Sequence, residues 1–385
     1  MTSTQIPLSA PFMLGNELEY VTEAVNTTWV STAGSFTSRF ERRLADFVGA
    51  GHAVATNSGT AALHVALLLA GVEADDEVLV SDMTFIAPVN AIRYVGAWPV
   101  FVDAEDAYWQ LDTDLLAKFL KGECTARNGE LRNRTSGRRV RAILPVHLLG
   151  HPCDLDPIRE LAAEHELAVI EDSTESLGAL YRGRKIGAGG LSCLSFNGNK
   201  LVTTGGGGAI VTDDAQLAER ALYLTTQAKD DPLEYVHRAI GFNYRMPSLN
   251  AALGLGQLEK IEERLEWKRR VAERYAGGLA EVAGISPMPQ APWARCAWWL
   301  YTVRVDKAAY GRDSRELMRD LASEGIMSRP IFEPMHRSKA HEGRQAVGGA
   351  VSERIVAEAL SLPSSVGLTE EDQQRVIDTI KEFAG

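Results

Sequence analysis

Apolar and polar positions along this chain follow two periods, and the periods take turns. Short, nearly continuous apolar runs suit buried strands: HAVAT at 52–56, EVLVSD at 77–82, WPVFVDA at 98–104, RAILPVHLLG at 141–150, LAVIEDS at 167–173, LSCLSF at 191–196 and GAIVT at 208–212. Between them lie stretches with apolar residues at helical spacing: AALHVALLLAG at 61–71, FIAPVNAIRYVG at 85–96, a short one at 113–120, LDPIRELAAEHE at 155–166 and DAQLAERALYLTT at 214–226. Strands and helices in strict turn predict an α/β fold, a largely parallel sheet with helices on both faces. Two amphipathic helices, 16–30 and 36–48, precede the sheet and are split by STAGS, with Gly34 in the turn.

One segment breaks the alternation. Residues 121–139 are polar, Gly-containing and basic, which fits either a hairpin on the domain edge or an arm reaching a ligand's phosphates. After the last apolar run, a long charged helix at 251–279 predicts a bridge to a second domain. That domain holds the strand WWLYTVRVD, the helix RDSRELMRDLASEG, the loop SRPIFEPMH and two closing helices, the last opened by a Thr369 and Asp372 capping box. The expected division is a large domain over 1–250, including the N-terminal helices and the 121–139 insertion, and a linking helix with a small α+β domain over 251–385.

Length and composition narrow the class. At 385 residues with 45% apolar and 24% charged residues, the chain fits a globular protein of two domains. No run approaches the roughly 18 apolar residues of a membrane helix, and the N-terminus lacks the pattern of a signal peptide. A cytoplasmic location is expected. The four cysteines stand far apart without CxxC spacing, so neither a zinc site nor a disulfide framework is indicated, and no metal is expected. A net charge of −11 argues against nucleic acid as a partner. An anionic ligand would have to be met by a local site.

Chemistry concentrates where SFNGNK (195–200) runs into TTGGGG (203–208) between two predicted strands. Lys200 would sit in a tight connection inside the fold. A desolvated lysine loses its proton more easily, and its free amine can form a Schiff base with an aldehyde; a surface lysine on a glycine-rich loop is the plain alternative. Asn57-Ser58-Gly59-Thr60 joins a strand to a helix, so Gly59 and Thr60 would present unpaired N–H groups to a phosphate, or simply cap the helix. Glu171 and Asp172 end an apolar strand, the place where open parallel sheets hold ligands. A single buried carboxylate there needs a cation or takes up a proton. Phe85 stands in another strand-to-helix turn. Pyridoxal 5′-phosphate would use all four features: a lysine for its aldehyde, a carboxylate for its ring nitrogen, backbone amides for its phosphate and an aromatic face for its ring.

The same motifs resemble the DegT and StrS type of pyridoxal-phosphate sugar aminotransferases. The likeness spans nearly the whole chain, through NSGTAAL (57–63), MTFIAPVNAI, IEDSTESLGA (170–179), SFNGNK, TGGGGAI, GFNYRM and LSLP. It implies the type I aminotransferase fold, with Lys200 as the Schiff-base lysine, Asp172 as the ring-nitrogen partner and Phe85 as the stacking residue. Gly59, Thr60 and Ser195 would bind the phosphate. The GFNYRM loop would reach the neighbouring subunit, so that Asn243 completes the partner's phosphate site in a homodimer with shared sites. Gly34, Arg245, Arg329 and His336 are the expected substrate contacts, and Arg138, Arg139 and Arg337 further candidates for a diphosphate.

Two departures qualify the resemblance. Glu175 stands where the family commonly has glutamine beside the cofactor's phenolic oxygen, and Gly198-Asn199 replaces a His-Pro type of sequence before the lysine. The NGNK form and the basic insertion resemble the legionaminic acid and bacillosamine subgroup. That implies amination by L-glutamate at carbon 4 of a UDP-linked 2-acetamido-4-keto-2,6-dideoxyhexose; dTDP- or GDP-linked keto-sugars are the alternative. A lyase or dehydratase on the same fold would typically have histidine in place of Lys200. A non-catalytic regulatory homologue would need a DNA-reading or membrane module, and none is recognisable.

Overall fold

The apolar runs pair side by side in the computed structural model, which describes residues 5–231 and 233–384. Their spatial order is His52–Thr56, Gly208–Thr212, Leu191–Ser195, Ala168–Asp172, Val140–Leu144, Glu77–Ser81, Trp98–Val102 and Ala346–Val347, an eight-stranded sheet. Gly208–Thr212 runs antiparallel to both neighbours. The remaining pairings are parallel, which gives the mainly parallel mixed sheet that the alternation predicts. The eighth strand comes from the C-terminal third of the chain and pairs with Trp98–Val102 through Ala346 opposite Phe101.

Burial on both faces explains why the strands read as continuous apolar runs. Val78, Val80, Leu144 and Ile170 pack with Leu63, Leu67 and Ile92 on one face. Leu79, Val100 and Ile143, at the intervening positions, pack with Phe119, Ile158 and Leu161 on the other. A third cluster joins Phe36, Phe40 and Leu44 to Leu194, Val211 and Leu255. The N-terminal helices are Glu17–Asn26 and Ser35–Val48.

The expected single helix at 251–279 is two helices, Ser248–Glu259 and Ile261–Leu279. The break falls at Lys260, whose backbone leaves the helical region at φ −108°, ψ 18°. Asp154 does not cap the helix Leu155–Glu164 with its side chain, because its carboxylate accepts the Tyr181 hydroxyl at 2.6 Å instead. Thr369 does cap Glu370–Glu382, accepting from the Asp372 amide at 3.0 Å.

A smaller three-stranded antiparallel sheet, Ile285–Pro287, Tyr301–Val305 and Ala359–Leu362, is built from the C-terminal region. It packs against Val271, Tyr275, Leu317, Leu321, Val376 and Ile380. Ile6, from the other end of the chain, is part of this cluster and bridges to Ile326. Asp103, at the end of Trp98–Val102, fastens the two regions. Its carboxylate accepts the backbone amides of Gly349, Val351 and Ser352 and the Ser352 hydroxyl, at 2.6–3.1 Å. These amides open the helix Ala350–Glu358, and together they hold the Asp103 carboxyl below its usual range although burial acts the other way.

The 121–139 segment forms a hairpin, Cys124–Arg127 paired with Glu130–Asn133. It lies at the N-terminal ends of the parallel strands. Asn133 donates to Glu77 at 2.7 Å, and Arg139 grips Asp76 through two bonds of 2.7 Å. Arg138 lies over the Trp98 ring, 4.8 Å from its centre. The expectation that Arg138 and Arg139 meet a ligand's phosphates is therefore corrected: local acids and an indole occupy them, at the end of the sheet away from the cavity described below. Among the described residues no helix is long and apolar enough to cross a membrane.

Candidate active site

At the C-terminal ends of the parallel strands a cavity of about 280 Å³ opens to solvent. It is lined by Ser58, Gly59, Thr60, Thr84, Phe85, Asp172, Glu175, Ser195 and Lys200, and closed by Trp299 and Phe332. Four strand ends of the large sheet thus converge on one volume, as parallel topology dictates when each strand hands over to its crossover at the same edge.

The phosphate-like corner follows from helix geometry. Ser58 caps Gly59–Leu69, its hydroxyl accepting the Ala61 amide at 3.0 Å. Ala62 bonds to the Ser58 carbonyl, which leaves the Gly59 and Thr60 amides as first-turn donors facing the cavity. The corner is tight. A Cβ on Gly59 would stand 2.9 Å from the Ser195 Cβ, and one on Gly208 2.5 Å from the Ser58 carbonyl, so both backbones approach as only glycine allows.

The two strand-end acids point to opposite sides. Glu171 is buried with Arg159 at 2.9 Å and His147 at 3.4 Å. The Cys153 amide donates to His147 Nδ1, so the ring's Nε2 carries the hydrogen toward Glu171. Burial pushes the Glu171 carboxyl up, but His147 and Arg159 together bring it below its usual range. Asp172 faces the cavity and is equally buried, and it accepts the Thr174 amide at 3.0 Å. For Asp172 burial wins over Thr174 and Lys200, and its carboxyl is raised. Such a group is poised to ionise when a cation arrives beside it.

Lys200 Nζ lies 3.6 Å from Glu175 Oε1 and 3.8 Å from the centre of the Trp299 ring. Burial lowers its pKa, and Glu175 and Asp172 only partly offset that. Glu175 is raised by burial despite Lys200 and the Leu149 amide, which donates to Oε2 at 2.7 Å. Phe85, half exposed, meets Phe332 with ring centres 5.3 Å apart. Thr84 Oγ1 is buried in the wall without a hydrogen-bond partner among the described residues.

The other expected contacts lie outside this lining. Arg245 is paired with Glu41, and Gly34 packs against Ser248 at the start of Ser35–Val48. His336 is held between Asp82 at 2.7 Å and Glu353 at 3.0 Å, and Arg337 bonds to Glu353 at 3.4 Å. Arg329 is exposed and donates to the Ser328 carbonyl. Asn243 is exposed too, and its carbonyl accepts from Asn57 at 3.2 Å.

Trp299, Phe332 and Thr84 were not foreseen as part of the site. No sequence signal marked Trp299, which was placed with Trp298 in the strand WWLYTVRVD. The strand in fact begins after them, at Tyr301.

A lysine with a lowered pKa, a strand-end carboxyl awaiting a cation, a helix start with spare amides and aromatic walls define a site for an aldehyde-bearing aromatic phosphate. The match to known proteins agrees. Residues 13–381 match the DegT/DnrJ/EryC1/StrS aminotransferase family, to which this chain belongs. A GDP-perosamine synthase of Caulobacter vibrioides is 40% identical over 381 residues, covering 98% of each chain. The solved structure of S. venezuelae DesV superposes with a TM-score of 0.86 at 32% identity, covering 98% of this chain and 99% of that one. The sugar aminotransferase Spr1654 of Streptococcus pneumoniae, in its PLP form, gives a TM-score of 0.88 at 25% identity, with 99% of both chains covered. The protein is a pyridoxal-phosphate-dependent nucleotide-sugar aminotransferase. The orphaned Thr84 hydroxyl, the Gly59 corner and the under-partnered Asp172 fit that cofactor.

Proposed function

We propose that this enzyme transfers an amino group from L-glutamate to carbon 4 of a GDP-linked 4-keto-6-deoxy sugar. The likeness to a GDP-perosamine synthase at 40% identity carries the choice of nucleotide. It displaces the UDP-linked acetamido sugar suggested by the NGNK motif and the basic insertion, because the hairpin that supported that choice faces away from the cavity.

Pyridoxal phosphate, when bound, supplies an electron sink that makes the donor's alpha proton acidic. The chain's part is to hold and to move protons. Gly59, Thr60 and Ser195 would hold the phosphate, and Phe85 would offer its ring to the cofactor's aromatic face. Asp172 would keep a proton on the ring nitrogen. Lys200 would hold the cofactor through its aldehyde, and as a free amine with a lowered pKa it would take up the proton from the donor's alpha carbon. Glu175, close to that amine, holds the departing proton within the site. Arg329, three residues before Phe332 and bonded to a carbonyl rather than a carboxylate, is the cation offered to the diphosphate.

The working unit is a homodimer, in which Asn243 completes the partner's phosphate corner. The exposed side chains of Leu233, Tyr235 and Ile240 beside that loop support a covered surface. The four cysteines, all buried and free, suit a cytoplasmic enzyme. Mixing Lys200→Ala with Asn243→Ala chains checks the sharing, since a hybrid then regains one intact site; activity no higher than the parents after proven exchange counts against it. The substrate is tested by comparing kcat/KM for GDP-, UDP- and dTDP-linked 4-keto-6-deoxy sugars with glutamate. GDP should lead, and a faster UDP- or dTDP-linked substrate overturns the nucleotide assignment.

A further inference from the structure

Trp299 has every polar atom engaged, and two of its three bonds lead toward Lys200. Its indole Nε1 donates to the Asn199 carbonyl at 2.8 Å, directly before the lysine. The backbone amide donates to the Leu149 carbonyl, and the Leu149 amide in turn donates to Glu175 Oε2, whose other oxygen stands 3.6 Å from Lys200 Nζ. The carbonyl of Trp299 accepts Lys268 Nζ at 2.7 Å. The ring face itself covers Lys200 Nζ at 3.8 Å.

Local strain marks the same place. Leu149 is held in the left-handed region at φ 58°, an uncommon conformation for a residue with a Cβ, and one that surrounding bonds must enforce. Lys268 is buried on the helix Ile261–Leu279 and also donates to the Ser364 carbonyl. It has no carboxylate partner in those bonds, and burial lowers its pKa to about 7. A fully buried amine spent on two carbonyls is an expensive way to stabilise a core. It makes sense if the position of Trp299 matters.

We propose that Trp299 is a positioning residue for Lys200, and that Lys268 positions Trp299 by holding its carbonyl. The indole hook keeps Asn197–Lys200 closed over the cavity, and the ring excludes water from the amine. The titratable and charged groups facing Lys200 are Glu175 and Asp172, with Arg264 and Lys268 across the small cleft that Lys200, Trp299 and Ser9 share. Opening the hook through Trp299→Phe leaves all four in place, so that variant isolates the positioning effect from the loss of a cation that Lys268→Met adds. It lets water reach Nζ, which favours the protonated amine.

The inference rests on Lys200 being the cofactor's lysine, which borohydride reduction of the unmodified enzyme tests separately: the stable adduct should map to Lys200. The inference itself is tested on the full chain with cofactor removed, by measuring the pH profile of Lys200 labelling with an amine-reactive reagent, read by mass spectrometry. Trp299→Phe keeps an aromatic face but loses the Nε1 donor, and Lys268→Met keeps the apolar stem but loses the Nζ donors. Each should move the labelling midpoint to higher pH, and labelling below the midpoint should fall about tenfold for every pH unit that the midpoint moves. The double variant should move it no further than the larger single one, because both act through one residue. Unchanged midpoints in both single variants overturn the proposal. Should Lys268→Met not fold, an unchanged Trp299→Phe midpoint overturns it alone. An adduct on another lysine removes the reading beneath it instead.

Discussion

The two ends of the parallel sheet both bury carboxylates, and they treat them differently. At the N-terminal ends, Asp76 is gripped by Arg139 and Glu77 is met by Asn133. At the C-terminal ends, Asp172 takes one backbone amide and lies near a lysine whose own charge burial disfavours. Buried charge without a partner is costly, so a chain that keeps it normally uses it. Glu171 and Asp172 repeat the contrast within a single strand, one acid secured by Arg159 and His147 and its neighbour left for a ligand. The difference separates acids that the fold itself satisfies from one that it leaves facing the cavity, even where their type and burial are the same.

The largest effect expected from this contrast comes from exchanging one residue at each end. If Asp172 is the ring-nitrogen partner proposed above, Asp172→Asn removes its charge, and turnover should fall roughly a hundred- to ten-thousandfold, about 3–6 kcal/mol in the barrier. Its melting temperature should hold or rise, because an under-partnered buried carboxyl contributes no net stability. Arg139→Ala should do the reverse. It leaves the buried Asp76 carboxylate without its cation and with only the Glu73 amide, which costs about 1–3 kcal/mol of stability, while turnover per folded molecule stays at the level of the parent. Melting curves and steady-state rates on both variants decide it. A turnover loss in Arg139→Ala, or a stability loss in Asp172→Asn without one in turnover, erases the distinction between the ends.

Much of this was legible in the sequence because it is local. Strand ends and helix starts are set by neighbouring residues, so Gly59, Thr60, Phe85, Asp172, Ser195 and Lys200 could be placed at the same edge of a parallel sheet, and they line one cavity with Glu175, which only the resemblance pointed to. What was not legible depends on segments far apart in sequence. Nothing near Arg245 announces Glu41, and nothing near Arg139 announces Asp76, so both looked like free cations. Trp299 and Phe332 arrive from the C-terminal part to close the cavity, and their periodicity reports only that they are apolar. Gly34, a substrate contact implied only by the resemblance, lies against Ser248.

Asp82 sharpens the contrast, since it sits at the C-terminal end of Glu77–Ser81, two residues from the cavity wall, and is nevertheless partnered. Its partner is His336, whose Nδ1 and backbone amide both donate to it and whose Nε2 donates to Glu353. A histidine donating from both nitrogens is a cation. Burial alone would lower its pKa, but Glu353 and Asp82 outweigh burial and raise it above 6.5. The sign follows: a raised folded pKa gives stability that is fully present below about 6.5 and is lost as pH rises through the folded value. His336→Asn cannot titrate there. Thermal melts from pH 6 to 9 should therefore show the parent ahead of the variant at the acidic end, by about a degree or two, with the gap closing toward alkaline pH. A gap that stays constant would mean that Asp82 is satisfied by geometry and not by charge, and location at the chemical end of the sheet would then explain less than partnership does.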